Sequence, residues 1–216
     1  MVVVAIPIFN GFTALDAIGP YEVLHRIPGV RVEFVSETAG LYLADDGHLR
    51  VEAPVCFEQV PSPDVLVVPG GLVKNLPLTN KAFLDYIVKV HKTSLYTTSV
   101  CTGALLLGAA GILHGLKGTT HWAAFDNLAS YGVTPVHQRY IRQGKIIMSA
   151  GVSAGIDSNL EVAALLADET MAKAVQLSIE YDPQPPFDSG SVGKASKEVV
   201  DLAREITEAL PSLQDQ

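Results

Sequence analysis

Short runs of apolar and β-branched residues alternate along the chain with segments whose apolar positions repeat at helical spacing. The first run, at residues 2–8, is continuously apolar, which is typical of a strand buried on both faces of a parallel sheet. The predicted strands lie at residues 2–8, 30–36, 65–68 and 95–100. The predicted helices lie at residues 14–27, 80–91, 122–131, 153–167, 169–181 and 194–210, and an apolar segment suited to a helix follows residue 103. This alternation predicts an α/β fold, a three-layer α/β/α sandwich with a flavodoxin-like, mostly parallel sheet.

Two pairs of shorter extended segments complete the pattern. The turn sequence DDG at residues 45–47 predicts short strands or a hairpin within residues 41–55. The dipeptide QG at residues 143–144 predicts the turn of a second hairpin, formed by residues 136–142 and 145–149.

The chain is predicted to form a single domain over residues 1–216. Its 216 residues are enough for one sizeable α/β domain and short for two. The segment 182–190 contains three prolines, which predict irregular backbone. We therefore expect residues 182–216 to consist of this irregular segment and a C-terminal helix packed on the domain.

The charge and composition of the chain argue against several classes of partner. The net charge is −8 and no basic run occurs, which argues against a nucleic-acid or anionic-membrane surface. The longest apolar stretches are too short to span a bilayer, and the first one lacks the flanks of a signal peptide. The two cysteines, Cys56 and Cys101, do not show the spacing of a metal site. These features predict a cytoplasmic protein with reduced thiols.

Cys101 stands where a predicted strand passes into a predicted helix. The extended run ends at this cysteine, Thr102 and Gly103 form a turn of small residues, and an apolar segment follows. This is the layout of a nucleophile elbow, in which the reactive atom is exposed on a sharp strand-to-helix turn. The N-terminus of the following helix is expected to favour the thiolate. The alternative is a buried cysteine acting as a small hydrophobic residue. Cys56 has no helix after it and is interpreted as structural.

Asp16 is the second candidate. In an open parallel sheet, ligands bind at the carboxyl ends of the strands, where the loops carrying Asp16, Gly70, Gly71 and Cys101 should converge. Apolar and small residues surround Asp16 in the sequence LDAIGP. An enclosed carboxyl group has a raised pKa and can deliver a proton. The alternative is a first-turn aspartate that complements the helix dipole.

Backbone amides and one histidine complete the candidate site. The amides of Gly70 and Gly71 could approach a substrate closely and, with the Thr102 amide, form an oxyanion-type hole. An ordinary loop is the alternative for the two glycines. Among the six histidines only His121 is a plausible partner for a catalytic cysteine, and a role in starting a helix is an equal alternative.

Several motifs resemble the ThiJ/PfpI superfamily, which has the class I glutamine amidotransferase-like fold. They are LDAIGP at 15–20, VPGG at 68–71, TSVCTGA at 98–104, GAAGIL at 108–113, TTHW at 119–122, SAGVSAGID at 149–157 and EYDPQPPF at 180–187. Asp16, Thr102 and the proline-rich tail are most similar to the isonitrile hydratase (isocyanide hydratase) branch.

This resemblance implies a function and a set of roles. The function is hydration of isonitriles to N-substituted formamides through a cysteine thioimidate, the reaction of a carbon–oxygen lyase (hydro-lyase) of the cyclohexyl-isocyanide hydratase type. Cys101 would be the nucleophile, Asp16 the acid and Thr102 an orienting residue, with the Gly71 and Thr102 amides facing the substrate. The resemblance also implies a homodimer, with neither a metal nor an organic cofactor.

Two other functions are also compatible with the sequence. One is a glyoxalase- or deglycase-like enzyme, which would use the same cysteine on 2-oxoaldehydes. The other is a ligand-sensing domain like that of AraC-type transcription regulators. Such regulators continue into a helix-turn-helix region, whereas only one acidic-to-neutral helix follows the proline-rich segment here. We therefore expect an enzyme rather than a sensor.

Overall fold

The computed structural model describes residues 1–213, which form a central seven-stranded sheet with helices on both faces. The strands are β1 (Val2–Pro7), β2 (Val30–Ser36), β3 (Gly40–Leu43), β4 (Arg50–Ala53), β5 (Val55–Cys56), β6 (Val65–Val68), β7 (Tyr96–Val100), β8 (Lys117–Gly118), β9 (Thr134–Pro135), β10 (Tyr140–Gln143) and β11 (Ile146–Ser149). The helices are α1 (Ala14–Leu24), α2 (Lys81–Thr93), α3 (Gly103–Ala109), α4 (Phe125–Ala129), α5 (Ala154–Leu166), α6 (Glu169–Ser178) and α7 (Lys197–Glu208). Two 3-10 turns lie at Val73–Asn75 and Trp122–Ala124.

The central sheet is parallel except at one edge. Its strand order is β10-β11-β7-β6-β1-β2-β5, and only β10 runs antiparallel to its neighbour. The strands β6 and β11 and the last four residues of β7 are fully buried, because helices cover both faces. Strands β3 and β4 form the predicted hairpin outside this sheet. The α/β/α sandwich with a mostly parallel sheet is therefore confirmed.

Helix ends differ from the sequence prediction where local backbone geometry intervenes. Helix α2 begins one residue after Asn80, whose side chain caps it by accepting a hydrogen bond from the Phe83 amide at 3.0 Å. Helix α3 ends at Ala109, because the chain turns at Gly111 with φ of 75°. The predicted helix over 122–131 is instead a 3-10 turn followed by the short α4.

The C-terminal part of the chain lies largely on the surface. Within the described residues, no helix or strand occurs between α6 and α7, as the prolines predict. Helix α7 has a polar face and an apolar face, yet none of its residues is buried. None of the helices found in residues 1–213 combines the length and apolar character needed to cross a membrane.

Candidate active site

Cys101 occupies a strained turn directly after β7. Its φ of 59° lies in the left-handed region, which costs a non-glycine residue about 1–3 kcal/mol. The surrounding backbone fixes this conformation. The Cys101 amide donates to the carbonyls of Ser149 and Ala150, both at 3.1 Å, and its carbonyl accepts from Thr120 Oγ1 at 2.9 Å. The predicted strand–turn–helix geometry of a nucleophile elbow is present, but the residue at its apex is buried rather than exposed as expected.

Gly103 makes the elbow possible. A Cβ atom at this position would lie 2.2 Å from the carbonyl oxygen of Val68, in the buried strand β6. Neither backbone can move aside easily, because β6 lies inside the sheet. Only glycine therefore allows the first turn of α3 to pack against the end of β6.

We expect Gly103→Ala to lower the free energy of unfolding by about 1–3 kcal/mol, since it overpacks a rigid contact. Gly193→Ala is the matched control, because a Cβ atom at this exposed position would meet nothing within 4 Å. Denaturant titration of both variants checks the prediction. Equal stabilities of the two variants would show that the elbow tolerates a side chain at position 103.

Asp16 is completely buried in the first turn of α1. Its Oδ2 atom accepts a hydrogen bond from the Gly70 amide at 3.0 Å. Its Oδ1 atom has no formed hydrogen bond, while the Cys101 side chain lies close enough to perturb the carboxyl group. Burial raises the pKa of Asp16 well above its usual value, and the charge of Asp45 acts in the same direction. The carboxyl group next to Cys101 is therefore suited to carry a proton.

The helix around Asp16 is locally irregular. Pro20 lies inside α1 and has no amide hydrogen, so the Asp16 carbonyl lacks its usual partner four residues later. The Asp16 amide bonds to the Thr13 carbonyl at 3.0 Å, and the Thr13 amide bonds to Gly70 at 2.9 Å. The start of α1 is thus tied to the loop after β6, which sets the position of the acid.

The expected oxyanion-type hole is not formed by the two glycine amides. The Gly70 amide donates to Asp16, and the Gly71 amide donates to Thr102 Oγ1 at 2.9 Å. The Thr102 hydroxyl in turn donates to the Gly71 carbonyl at 2.6 Å. Both amides therefore hold neighbouring side chains instead of facing a substrate. Of the three amides predicted for this role, only that of Thr102 is directed at the Cys101 sulfur.

We expect Thr102→Val to lower the free energy of unfolding by about 1–3 kcal/mol, because it leaves the buried amide and carbonyl of Gly71 without a partner. Thr102→Ser keeps the hydroxyl group and is expected to remain close to the native stability. Thermal unfolding of the two variants checks the prediction. If both variants unfold at the same temperature, the hydroxyl group does not hold the loop.

The helix N-terminus does not dominate the pKa of Cys101, contrary to the sequence argument. The residue is only 4% exposed, and burial raises the pKa of the thiol well above its usual value. The negative charge of Asp16 raises it further, while the Thr102 amide lowers it. The Cys101 side chain in turn lowers the pKa of Asp16 through a hydrogen bond, but burial outweighs this effect, so a state in which both groups are ionised is disfavoured. At least one proton is therefore expected to stay on the Asp16–Cys101 pair.

Cys101 lines a cavity of about 220 Å³ at the carboxyl end of the sheet. The cavity is mostly apolar, and residues from seven separate parts of the chain line it. They are Thr13, Asp45, Gly71, Leu72, Val73, Cys101, Thr102, His121, Ala123, Ala124, Val152, Thr207 and Leu210. The sequence did not indicate the contributions of Asp45, Thr207 and Leu210. The DDG turn was recognised only as a hairpin signal, and the C-terminal helix had no chemical motif.

His121 lines this cavity, and its side chain also accepts a hydrogen bond from the backbone. Its Nδ1 atom accepts from the Ala123 amide at 3.4 Å, so it caps the 3-10 turn Trp122–Ala124. Burial lowers the pKa of His121 and favours the neutral ring. The helix-start role considered above is therefore present. Among residues 1–213 no group of three or more His, Cys, Asp or Glu side chains is arranged to hold a metal ion.

Comparisons with known proteins point to one family. The model of the DJ-1/PfpI family matches residues 2–165. An isonitrile hydratase from Pseudomonas putida is 42% identical over 206 residues, covering 95% of this chain and 89% of that protein. The crystal structure of a THiJ/PfpI family protein from Pseudomonas syringae superposes with a TM-score of 0.89 at 34% identity, over 95% of this chain and 87% of that chain.

A more distant relative illustrates the breadth of the family. The HTH-type transcriptional regulator CdhR from Pseudomonas aeruginosa is 28% identical over 83% of this chain. The match covers only 52% of the regulator. The same fold thus occurs both in proteins named as enzymes and as part of a protein named as a regulator, so function has to be argued from the site.

Proposed function

The chain belongs to the DJ-1/PfpI family, and on that basis we propose that it is an enzyme that hydrates isonitriles to N-substituted formamides. The observation that carries the proposal is the buried Asp16 carboxyl group beside Cys101, in a small and mostly apolar cavity. An isonitrile is a neutral, compact group whose terminal carbon must receive both a nucleophile and a proton. The site offers Cys101 as the nucleophile and Asp16 as the proton donor.

In the first step the terminal carbon of the isonitrile receives a proton from Asp16 and forms a bond to the Cys101 sulfur. Asp16 holds the proton while the Cys101 thiolate attacks the terminal carbon of the isonitrile, forming a C–S bond. The lone pair of that carbon takes the proton from Asp16. The products are a thioimidate on Cys101 and an ionised Asp16. The Cys101 sulfur is neutral in the thioimidate, so Asp16 is then the only charged member of the buried pair.

In the second step water replaces the sulfur. Water adds to the C=N bond, with its oxygen bonding to carbon and a proton going to nitrogen. The remaining hydroxyl proton moves to the Asp16 carboxylate as the C–S bond breaks and the C=O bond forms. The formamide leaves, and Cys101 thiolate and protonated Asp16 are regenerated. One isonitrile and one water are consumed for each formamide.

The engaged glycine amides favour this chemistry over acyl transfer. Acyl transfer develops an oxyanion during attack and is accelerated by free donors directed at it. Here Gly70 and Gly71 donate to side chains, and Nδ1 of His121 accepts a backbone hydrogen bond. Attack on an isonitrile carbon creates no oxyanion and therefore does not need those donors.

Product identification tests the proposal. The purified protein is incubated with cyclohexyl isonitrile, and in parallel with methylglyoxal, and the products are identified by mass spectrometry. We expect N-cyclohexylformamide, with its oxygen labelled when the reaction is run in H₂¹⁸O. Turnover of methylglyoxal alone would assign the site to a deglycase- or glyoxalase-like activity, and turnover of neither substrate would favour a sensor.

The assembly and location of the protein are also parts of the proposal. The homodimer is proposed from the resemblance to the isonitrile hydratase branch, the lack of a nucleic-acid partner from the acidic composition, and the cytoplasmic location from the two cysteines, which are expected to be reduced. Light scattering at micromolar concentration is expected to give the mass of two chains.

A further inference from the structure

A second, outer cavity adjoins the one that contains Cys101. It has a volume of about 370 Å³ and is lined by Leu72, Val73, Lys74, Trp122, Ala123, Arg204, Thr207 and Glu208. Leu72, Val73, Ala123 and Thr207 line both cavities, so the two are neighbours. Helix α7 lies over the outer cavity, and Leu210, just after the helix, reaches the inner one.

The packing of α7 itself does not explain why the helix lies there. None of its residues is buried, and its apolar residues Leu202 and Ile206 are 53% and 60% exposed. Its polar contacts with the rim of the outer cavity are few: the Arg204 guanidinium lies 5.4 Å from the centre of the Trp122 ring, and the Glu208 carbonyl accepts from Lys74 Nζ at 3.4 Å. Contacts of the residues directly after the helix contribute to its position.

Asn75 fixes the chain directly after α7. It is 3% exposed, and both ends of its amide group bind the C-terminal backbone. Asn75 Oδ1 accepts from the Leu213 amide at 2.9 Å, and Nδ2 donates to the Pro211 carbonyl at 3.3 Å. Beside it, Lys74 Nζ donates to the Leu210 carbonyl at 2.7 Å. The Leu213 side chain is 2% exposed, so this end of the chain is anchored even though α7 is not.

We propose that residues 204–213 form the roof of the substrate site and that Leu210 and Thr207 limit the size of the substrate. The proposal rests on the proposed isonitrile hydration and specifies its substrate class: isonitriles with a compact, apolar N-substituent. The inner cavity of about 220 Å³ is smaller than the range of about 300–1,000 Å³ that is typical for drug-sized ligands. Asn75 is a positioning residue, because it holds the roof without lining the inner cavity.

Substitutions at Leu210 test the size limit. We compare kcat/KM for ethyl isonitrile and for 1-naphthyl isonitrile in the native protein, Leu210→Ala and Leu210→Trp. The ratio of naphthyl to ethyl substrate is expected to rise on the order of tenfold in Leu210→Ala, and to fall by a similar factor in Leu210→Trp. Leu202→Trp, on the exposed face of the same helix, is the control and should leave the ratio unchanged. An unchanged ratio in both Leu210 variants overturns the proposal.

The alkylation of Cys101 tests the roof independently of the reaction. Asn75→Leu removes both hydrogen bonds to the C-terminal backbone at similar side-chain volume. Peptide mapping then follows the alkylation of Cys101 by iodoacetamide and by N-(1-pyrenyl)maleimide. The roof predicts that the rate with the large reagent increases at least fivefold more than the rate with the small one, in Asn75→Leu and in Leu210→Ala. Equal acceleration of both reagents in both variants, or none, contradicts it.

The kinetic comparison and the alkylation experiment together distinguish an error in the proposed roof from an error in the proposed function. If the native protein turns over neither isonitrile while the alkylation rates show the predicted size dependence, the proposed reaction is wrong and the roof over Cys101 stands. If the native protein hydrates ethyl isonitrile but neither arm depends on Leu210, the reaction stands and the roof is wrong.

Discussion

Replacing Cys101 with alanine is expected to lower kcat/KM for isonitrile hydration by on the order of 10⁴-fold or more, because the proposed reaction proceeds only through a bond to its sulfur. Cys56→Ala is the matched control, since Cys56 lies in the edge strand β5, away from the carboxyl-end cavity. Steady-state formation of the formamide, measured by chromatography, gives both values.

The fold of the Cys101→Ala variant should be retained. Alanine fits the space of the thiol and keeps the backbone hydrogen bonds to Ser149, Ala150 and Thr120. Circular dichroism and thermal unfolding therefore separate loss of chemistry from loss of structure. If a folded Cys101→Ala protein forms the formamide within about tenfold of the native rate, covalent catalysis by this residue is ruled out.

Asp16→Asn is expected to lower kcat by about 10²–10⁴-fold, the range typical of a lost general acid. The asparagine side chain keeps an oxygen that can accept from the Gly70 amide, so the loop geometry is preserved. It cannot release a proton to the substrate carbon. The pH profile supplies a second readout, because the activity limb that reports Asp16 should disappear.

The same substitution is expected to make the protein more stable at neutral pH. Burial raises the pKa of Asp16 in the folded protein above its unfolded value of about 3.9. Between these two pKa values the folded state binds more protons than the unfolded state, so stability falls as the pH rises through that interval. Asparagine removes this cost, and each kcal/mol regained raises Tm by about 2–4 °C. A lower Tm at pH 7, or native kcat, would contradict the role of a buried acid.

The fold could be predicted from the sequence because its signals are local. The bounds of β2 and β6 coincide with the runs of apolar residues that predicted them. The elbow was recognisable because a β-branched run, a cysteine, a small-residue turn and an apolar segment follow each other directly. Asp16 was recognisable from the apolar residues next to it and from the convergence of loops at the carboxyl end of a parallel sheet.

The partners of the backbone amides could not be predicted, because they depend on contacts between distant parts of the chain. Gly70 and its acceptor Asp16 are 54 positions apart, and Gly71 and Thr102 are 31 apart. A glycine pair after a strand is compatible with free amides and with occupied ones. The pKa of Cys101 was predicted in the wrong direction for a related reason. The helix N-terminus is visible in the sequence, whereas the extent of burial that outweighs it is not.

The contribution of Thr207 and Leu210 to the cavity could not be predicted from the sequence either. Asn75 and Leu213 are 138 positions apart, and no motif links them. The pattern of α7 predicted an amphipathic helix packed on the domain. The structure instead places its apolar residues largely in solvent and anchors the chain through Asn75 and Lys74.

The central claim is that Cys101 forms a covalent bond with the isonitrile carbon while Asp16 delivers a proton to it. Rapid-quench mass spectrometry of the native protein and Asp16→Asn during the first turnover of cyclohexyl isonitrile tests this most directly. We expect the native protein to gain the mass of one isonitrile on the peptide that contains Cys101, and Asp16→Asn to gain it much more slowly. Formation of N-cyclohexylformamide with Cys101 unmodified at every quench time, or an adduct found only on Cys56, would contradict the account.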